Sequence, residues 1–121
     1  MIKDFLIISF LFIVIDSIYL SISSKYFKNQ IKIIQKSQLE LNKISTIICY
    51  IILTLGLTYF IKIKNLSIID TGILGFFIYS VFETTNKALF KKWKWLTVLM
   101  DSIWGGTLFS LVAFIYKKIN L

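Results

Sequence analysis

Residues Gly72–Gly106 read GILGFFIYSVFETTNKALFKKWKWLTVLMDSIWGG: two apolar runs joined by a turn rich in Lys and Trp. Each run belongs to a segment long enough to cross a bilayer, and each holds an acid, Glu83 late in the first and Asp101 early in the second. A carboxylate at the centre of a membrane helix costs about 2.5–3.5 kcal/mol on insertion scales, so its presence asks for a site or a contact. In the first run Gly72, Gly75, Tyr79, Glu83 and Asn86 recur every three or four residues and share one helix face. A pairing of Glu83 with Lys87 at the i to i+4 spacing is the competing reading. In the second run Asp101 lies about 10 Å past Lys94 along the axis. Gly105 and Gly106 follow, where helix backbones can approach closely.

Outward from this pair the same grammar repeats. Asp70 is the expected N-cap of a helix over 71–89, and the next helix is predicted over 95–116, with Trp93 and Trp95 as its aromatic belt and Lys117 and Lys118 beyond its end. Upstream, an apolar run over 44–61 closes on Lys62 and Lys64. Its Ser45, Thr46, Tyr50, Thr54 and Thr58 can bond backbone carbonyls or a neighbouring helix. The first run covers 5–22. It contains Asp16, lacks a small-x-small cleavage pattern and is followed by Lys25 and Lys28, so it reads as a retained span rather than a signal peptide. Between them, over 24–43, Phe27, Ile31 and Ile34 fall on one helical face and Lys28, Lys32 and Lys36 on another, the pattern of an amphipathic segment in the headgroup region.

The expected fold is therefore an all-α membrane protein: one transmembrane domain over 1–121, with four antiparallel helices and an interfacial amphipathic segment after the first. Composition agrees. Hydrophobic residues make up 57% of the 121 and the mean hydropathy is +0.79, above the roughly 45–50% apolar share of a soluble domain.

Absent residue types exclude chemistry. With no His, haem and zinc are not expected as cofactors, and no imidazole base exists. Cys49 is the only thiol, and between Ile48 and Tyr50 it reads as a buried, inert small hydrophobe. The 14 positive charges are all Lys, without Arg and without a series of aromatics interleaved for base stacking, so anionic lipid rather than nucleic acid is the expected partner of the Lys-rich loops. Four spans make a thin bundle, for which a homo-oligomer is the natural expectation.

Asp16-Ser17-Ile18-Tyr19 in the first helix echoes Asp101-Ser102-Ile103-Trp104 in the fourth. With four spans those helices run in opposite directions, and Asp16, Tyr19, Glu83, Asn86 and Asp101 all fall near one membrane face. If they converge, they must share a proton or hold a cation. Oxygen ligands alone would favour a hard ion such as magnesium or calcium. Three functions follow from that cluster: proton or cation binding or transport, an embedded enzyme acting on lipid headgroups, or assembly alone. Nine Lys flank the face of the first and third loops, from Lys25 to Lys43 and from Lys87 to Lys94. Lys3, Lys62, Lys64, Lys117 and Lys118 flank the other. The positive-inside rule puts the Lys-rich loops in the cytoplasm and the termini outside.

These residues resemble the DUF2177 family of small multi-pass membrane proteins. Its pattern is an early Asp followed by an aromatic, a Tyr-Asp-Leu-Thr-Asn-x-Ala-Thr-Leu segment ending at Trp, and a late Asp-x-x-Trp-Gly. Asp16 with Tyr19, Phe82-Glu83-Thr84-Thr85-Asn86-Lys87-Ala88-Leu89-Phe90 with Trp93, and Asp101 with Trp104 and Gly105 stand at those places, with Phe82 and Glu83 differing from the family's Tyr-Asp. The resemblance implies a multi-pass fold and the place of a site, and no activity.

Overall fold

No proline interrupts the apolar runs, and each becomes a continuous helix. The computed structural model describes residues 1–37 and 42–120, which form α1 (Ile2–Gln35), α2 (Lys43–Thr58, continued by a π-helical turn Tyr59–Ile63), α3 (Ile68–Leu89) and α4 (Trp95–Ile119). All four are long and apolar enough to cross a membrane.

The largest difference from expectation is at the end of the first span. The amphipathic stretch is not set off from it: α1 continues unbroken to Gln35 and stops where Lys36 takes a left-handed conformation, φ 59°. At 34 residues α1 is about 50 Å long, well beyond a hydrocarbon core of about 30 Å. Phe27, Ile31 and Ile34 are half-buried and Lys28, Lys32 and Lys36 exposed, as the periodicity requires. Leu39 and Leu41 lie outside the described residues. The α1 tail is held because Ser23 and Gln30 are buried and Tyr26 is half-buried on its inner side, against the start of α4.

Asp70 is not the cap of α3. Ser67 is, its hydroxyl accepting from Asp70 N at 3.0 Å, and the helix begins at Ile68. Asp70 thus stands three residues after the cap, where an acid suits the helix dipole. Asn42 caps α2 in the same way through Ser45 N at 3.0 Å. α4 starts at Trp95 as expected and ends three residues later than expected, at Ile119.

α3 and α4 make the closest helix pair. A Cβ on Gly75 would lie 2.7 Å from Phe109 Cβ, one on Gly105 would lie 2.6 Å from Tyr79 Cβ, and one on Gly106 would lie 3.3 Å from Gly72 O. Gly72 itself leaves room for Ser110 Oγ. α1 runs antiparallel along α4, so rising numbers on one meet falling numbers on the other: Asp4 with Tyr116, Asp16 with Trp104, Tyr19 with Asp101, Tyr26 with Thr97. α2 packs on α1.

The interior is divided along the bundle axis. The half nearest the termini is an apolar core of Ile8, Phe12, Leu57, Ile61, Leu108, Phe109, Val112 and Ala113. The half nearest the first and third loops buries Asp16, Ser23, Gln30, Glu83, Thr97, Asp101 and Ser102 instead. Meanwhile Ile2, Phe10, Ile22, Ile44, Ile52, Phe77, Val81 and Leu99 face outward. Acids inside and large aliphatics outside is the arrangement lipid favours and water does not.

Candidate functional site

The polar half of the bundle is built from three buried acids and the aromatic groups that reach them. Asp16 receives two donors, Trp104 Nε1 at 3.0 Å on Oδ1 and Tyr50 Oη at 2.6 Å on Oδ2. Asp101 Oδ1 accepts from Tyr19 Oη at 3.2 Å. The Tyr19 and Trp104 rings are stacked, with centroids 4.5 Å apart and planes within 5°. Glu83 is only 1% exposed, and its Oε1 accepts from Trp93 Nε1 at 2.8 Å. Glu83 of α3 and Asp101 of α4 are both buried, 1% and 9% exposed, in the most closely packed helix pair. Desolvation disfavours the charged form of a carboxyl.

Local structure explains each position. Asp16 and Tyr19 are three residues apart on α1, as Asp101 and Trp104 are on α4, so each helix offers an acid and an aromatic on one face. Glu83 reaches α4 because it continues the face of Gly72, Gly75 and Tyr79, along which α3 lies against its neighbour. Trp93, in the turn before α4, folds back onto Glu83.

Of the residues singled out from sequence, Asp16, Tyr19 and Asp101 are joined with Trp104 by these bonds and the ring stack, and Glu83 is bound to Trp93 in the same polar half of the bundle. Asn86 is half-buried on the same face of α3, but its side chain makes no hydrogen bond among the described residues. Gly72, Gly75, Gly105 and Gly106 all lie at the α3–α4 contact.

Several neighbours differ from the sequence reading. Glu83 does not pair with Lys87, whose Nζ donates to Lys91 O instead. Trp93 is buried on Glu83 rather than set in an interfacial belt, a place left to the exposed Trp95. Cys49 is exposed on α2, because the inner face of that helix is taken by Tyr50, Thr54 and Leu57. Tyr50, read only as one of five mild polar residues, is a direct partner of Asp16. Its signal was present as a phenol one turn before Thr54, but nothing in the second span named its partner on α1. Gln30 was missed as well. Its Oε1 accepts from Lys94 N and Thr97 Oγ1, both at 2.9 Å, tying the α1 tail to the start of α4.

Among the described residues no basic side chain pairs with the three acids of the site. The ion pairs among the described residues are those of Asp4, with the terminal amine of Met1 at 3.5 Å and Lys62 Nζ at 3.9 Å, near the opposite membrane face. No group of three or more Asp, Glu or Cys side chains among the described residues is placed to hold one metal ion.

A family model described as a predicted membrane protein, DUF2177, matches residues 1–116, and the chain belongs to that family. No curated protein and no solved structure matches it.

Proposed function

We propose that this member of the DUF2177 family carries a proton-binding site within the bilayer, built on Asp16, Glu83 and Asp101, and that the site serves binding or translocation of a proton or small cation. Its membership and four candidate spans make it an integral membrane protein. The observation that carries the finer reading is that Glu83 and Asp101 are both buried, with Trp93 and Tyr19 as their donors and no Lys paired with them among the described residues. A proton is the simplest species that satisfies such a pair. Magnesium or calcium takes six or more oxygen ligands, and among the described residues no group of three or more acids is placed to hold one ion.

The Lys distribution supports cytoplasmic Lys-rich loops held at anionic lipid, with the termini outside. The thin bundle supports self-association in the membrane. Assembly alone is the competing reading, favoured by the two hydrogen bonds that tie Asp16 to Tyr50 and Trp104. An enzyme acting on lipid headgroups would use the same acids as base and ligand.

Purified protein in liposomes, with pH-dye flux, proton uptake and lipid turnover followed together, tests these readings. Wild type is expected to take up or pass protons, with loss in Asp101→Asn and in Asp16→Asn. Unchanged behaviour in both folded variants would leave assembly as the role, and lost lipid conversion without a proton effect would assign the enzyme.

A further inference from the structure

The helices form a ring that is incompletely closed. α2 packs on α1, α1 on α4 and α3 on α4, but no extended contact joins α2 to α3 among the described residues. The gap contains a cavity of about 270 Å³ lined by Cys49 and Leu53 of α2, Ile78, Tyr79 and Phe82 of α3, and Asp101 behind them. A second cavity of about 300 Å³ shares Cys49, Leu53 and Tyr79 and reaches Asp16 and Tyr50. Cys49 lies six residues into α2 and Phe82 seven before the end of α3, so the mouth sits about 10 Å inside the ends of both helices on the face of the first and third loops. Headgroups cover about 5–8 Å on each side of a bilayer's hydrocarbon core, so a mouth this near the helix ends suits a molecule with a polar head and an apolar chain.

The walls of this crevice are apolar and its back is acidic. No Lys lines either cavity. Tyr79 borders both, and its hydroxyl has no protein partner among the described residues. Aromatic faces at Tyr50, Tyr79 and Phe82 add the environment in which an organic cation is held well. Charge and shape therefore select one kind of occupant. We propose that the crevice is a lateral entrance through which the ammonium head of a membrane amphiphile reaches Asp101 and Asp16, its chain remaining in the leaflet against Leu53, Ile78 and Phe82. The release step of this inference rests on the proton-site reading, because protonation of the same carboxyls would free the head.

Cys49, the only thiol of the chain, stands in the lining and reports occupancy. The experiment uses full-length protein in nanodiscs of phosphatidylglycerol, a lipid without an amine, with a small membrane-permeant maleimide. Dodecylammonium should slow Cys49 modification about fivefold at a free concentration near four times its Kd. Dodecanol at equal loading should have little effect. Asp101→Asn should lose the protection. Leu53→Trp, which narrows the entrance and leaves every acid in place, should lose it while keeping proton uptake, so the test survives if Asp101→Asn fails to fold. Equal protection by dodecanol, protection retained in both variants, or a thiol unreactive without amphiphile would each overturn the proposal. Proton uptake measured in the same nanodiscs separates the two readings. Uptake without ammonium protection ends this inference alone, and protection without uptake ends the proton-site reading alone.

Discussion

Tyr19 and Trp104 lie face to face, and each donates a hydrogen bond to the aspartate that precedes the other by three residues, Tyr19 to Asp101 and Trp104 to Asp16. The exchange is reciprocal because both helices carry the same acid-to-aromatic spacing and run in opposite directions. It gives the echo between Asp16-Ser17-Ile18-Tyr19 and Asp101-Ser102-Ile103-Trp104 a physical content: the two stretches are mutual partners. It also makes the position of α1 against α4 specific, since sliding either helix by one residue would break the stack and both bonds together.

Tyr19→Phe keeps the stack and deletes one donor, and Trp104→Phe deletes the other. Hydrogen bonds between membrane helices contribute about 0.6 kcal/mol on average and up to about 1.7, and acceptance by a carboxylate places these toward the upper end. Each variant is expected to lose about 1 kcal/mol against unfolding in mixed micelles. Because the groups touch, the double variant should depart from additivity by at least about 0.5 kcal/mol. Strict additivity would show that the exchange is not a unit.

Trp93→Phe leaves Glu83 Oε1 without its donor in a site closed to water. An unsatisfied buried group costs about 1–3 kcal/mol, whereas Trp95→Phe, on an exposed ring, should change stability by no more than about 0.5 kcal/mol. Thermal unfolding of both proteins in one detergent compares them. Equal shifts would mean that Trp93 acts as an interfacial anchor after all.

Gly105→Ala places a methyl 2.6 Å from Tyr79 Cβ, an atom fixed to its helix, while a methyl at Gly56 meets nothing within 4 Å. The first should cost about 1–3 kcal/mol through overpacking, and the second should be neutral or gain up to about 1 kcal/mol from helix propensity. Denaturation of the two variants side by side measures the difference. Similar tolerance would remove close α3–α4 packing as the reason for glycine there.

Lys36→Cys and Asn120→Cys, each in a Cys49→Ser background, report opposite faces of the bundle. With the Lys-rich loops in the cytoplasm, an impermeant thiol reagent applied to intact cells should label position 120 and spare position 36 until the membrane is opened. The reverse pattern would invert the proposed orientation.

Much of the architecture was legible because the bilayer reads sequence in a simple way. A segment of about 20 apolar residues spans the hydrocarbon whatever its neighbours are, so four such segments without proline dictate four helices, and short connections make them antiparallel. Buried acids were legible for the same reason, since Asp16, Glu83 and Asp101 are costly wherever they stand in such a segment. The small-residue face of α3 could be read because its period matches the helix.

What the chain alone did not determine is how far each helix extends and how it is turned about its own axis. Hydropathy ended the first span near Ile22 because it scores Ser23, Gln30 and the Lys residues as polar, but both are inside: Ser23 bonds back to Tyr19 O in its own helix, and Gln30 finds its partners on α4 as the helix runs on to Gln35. Tyr50 became a partner of Asp16, Trp93 a partner of Glu83 and Cys49 an exposed residue of the α2–α3 crevice only once the helices were set against one another. Those contacts join residues as far apart as Asp16 and Trp104, 88 positions in the chain. Local pattern can say that a polar group needs a partner. Which partner it meets depends on helix rotation, and helix rotation depends on the close fit of Gly75 and Gly105 with Phe109 and Tyr79, a property of packed surfaces that no single segment contains.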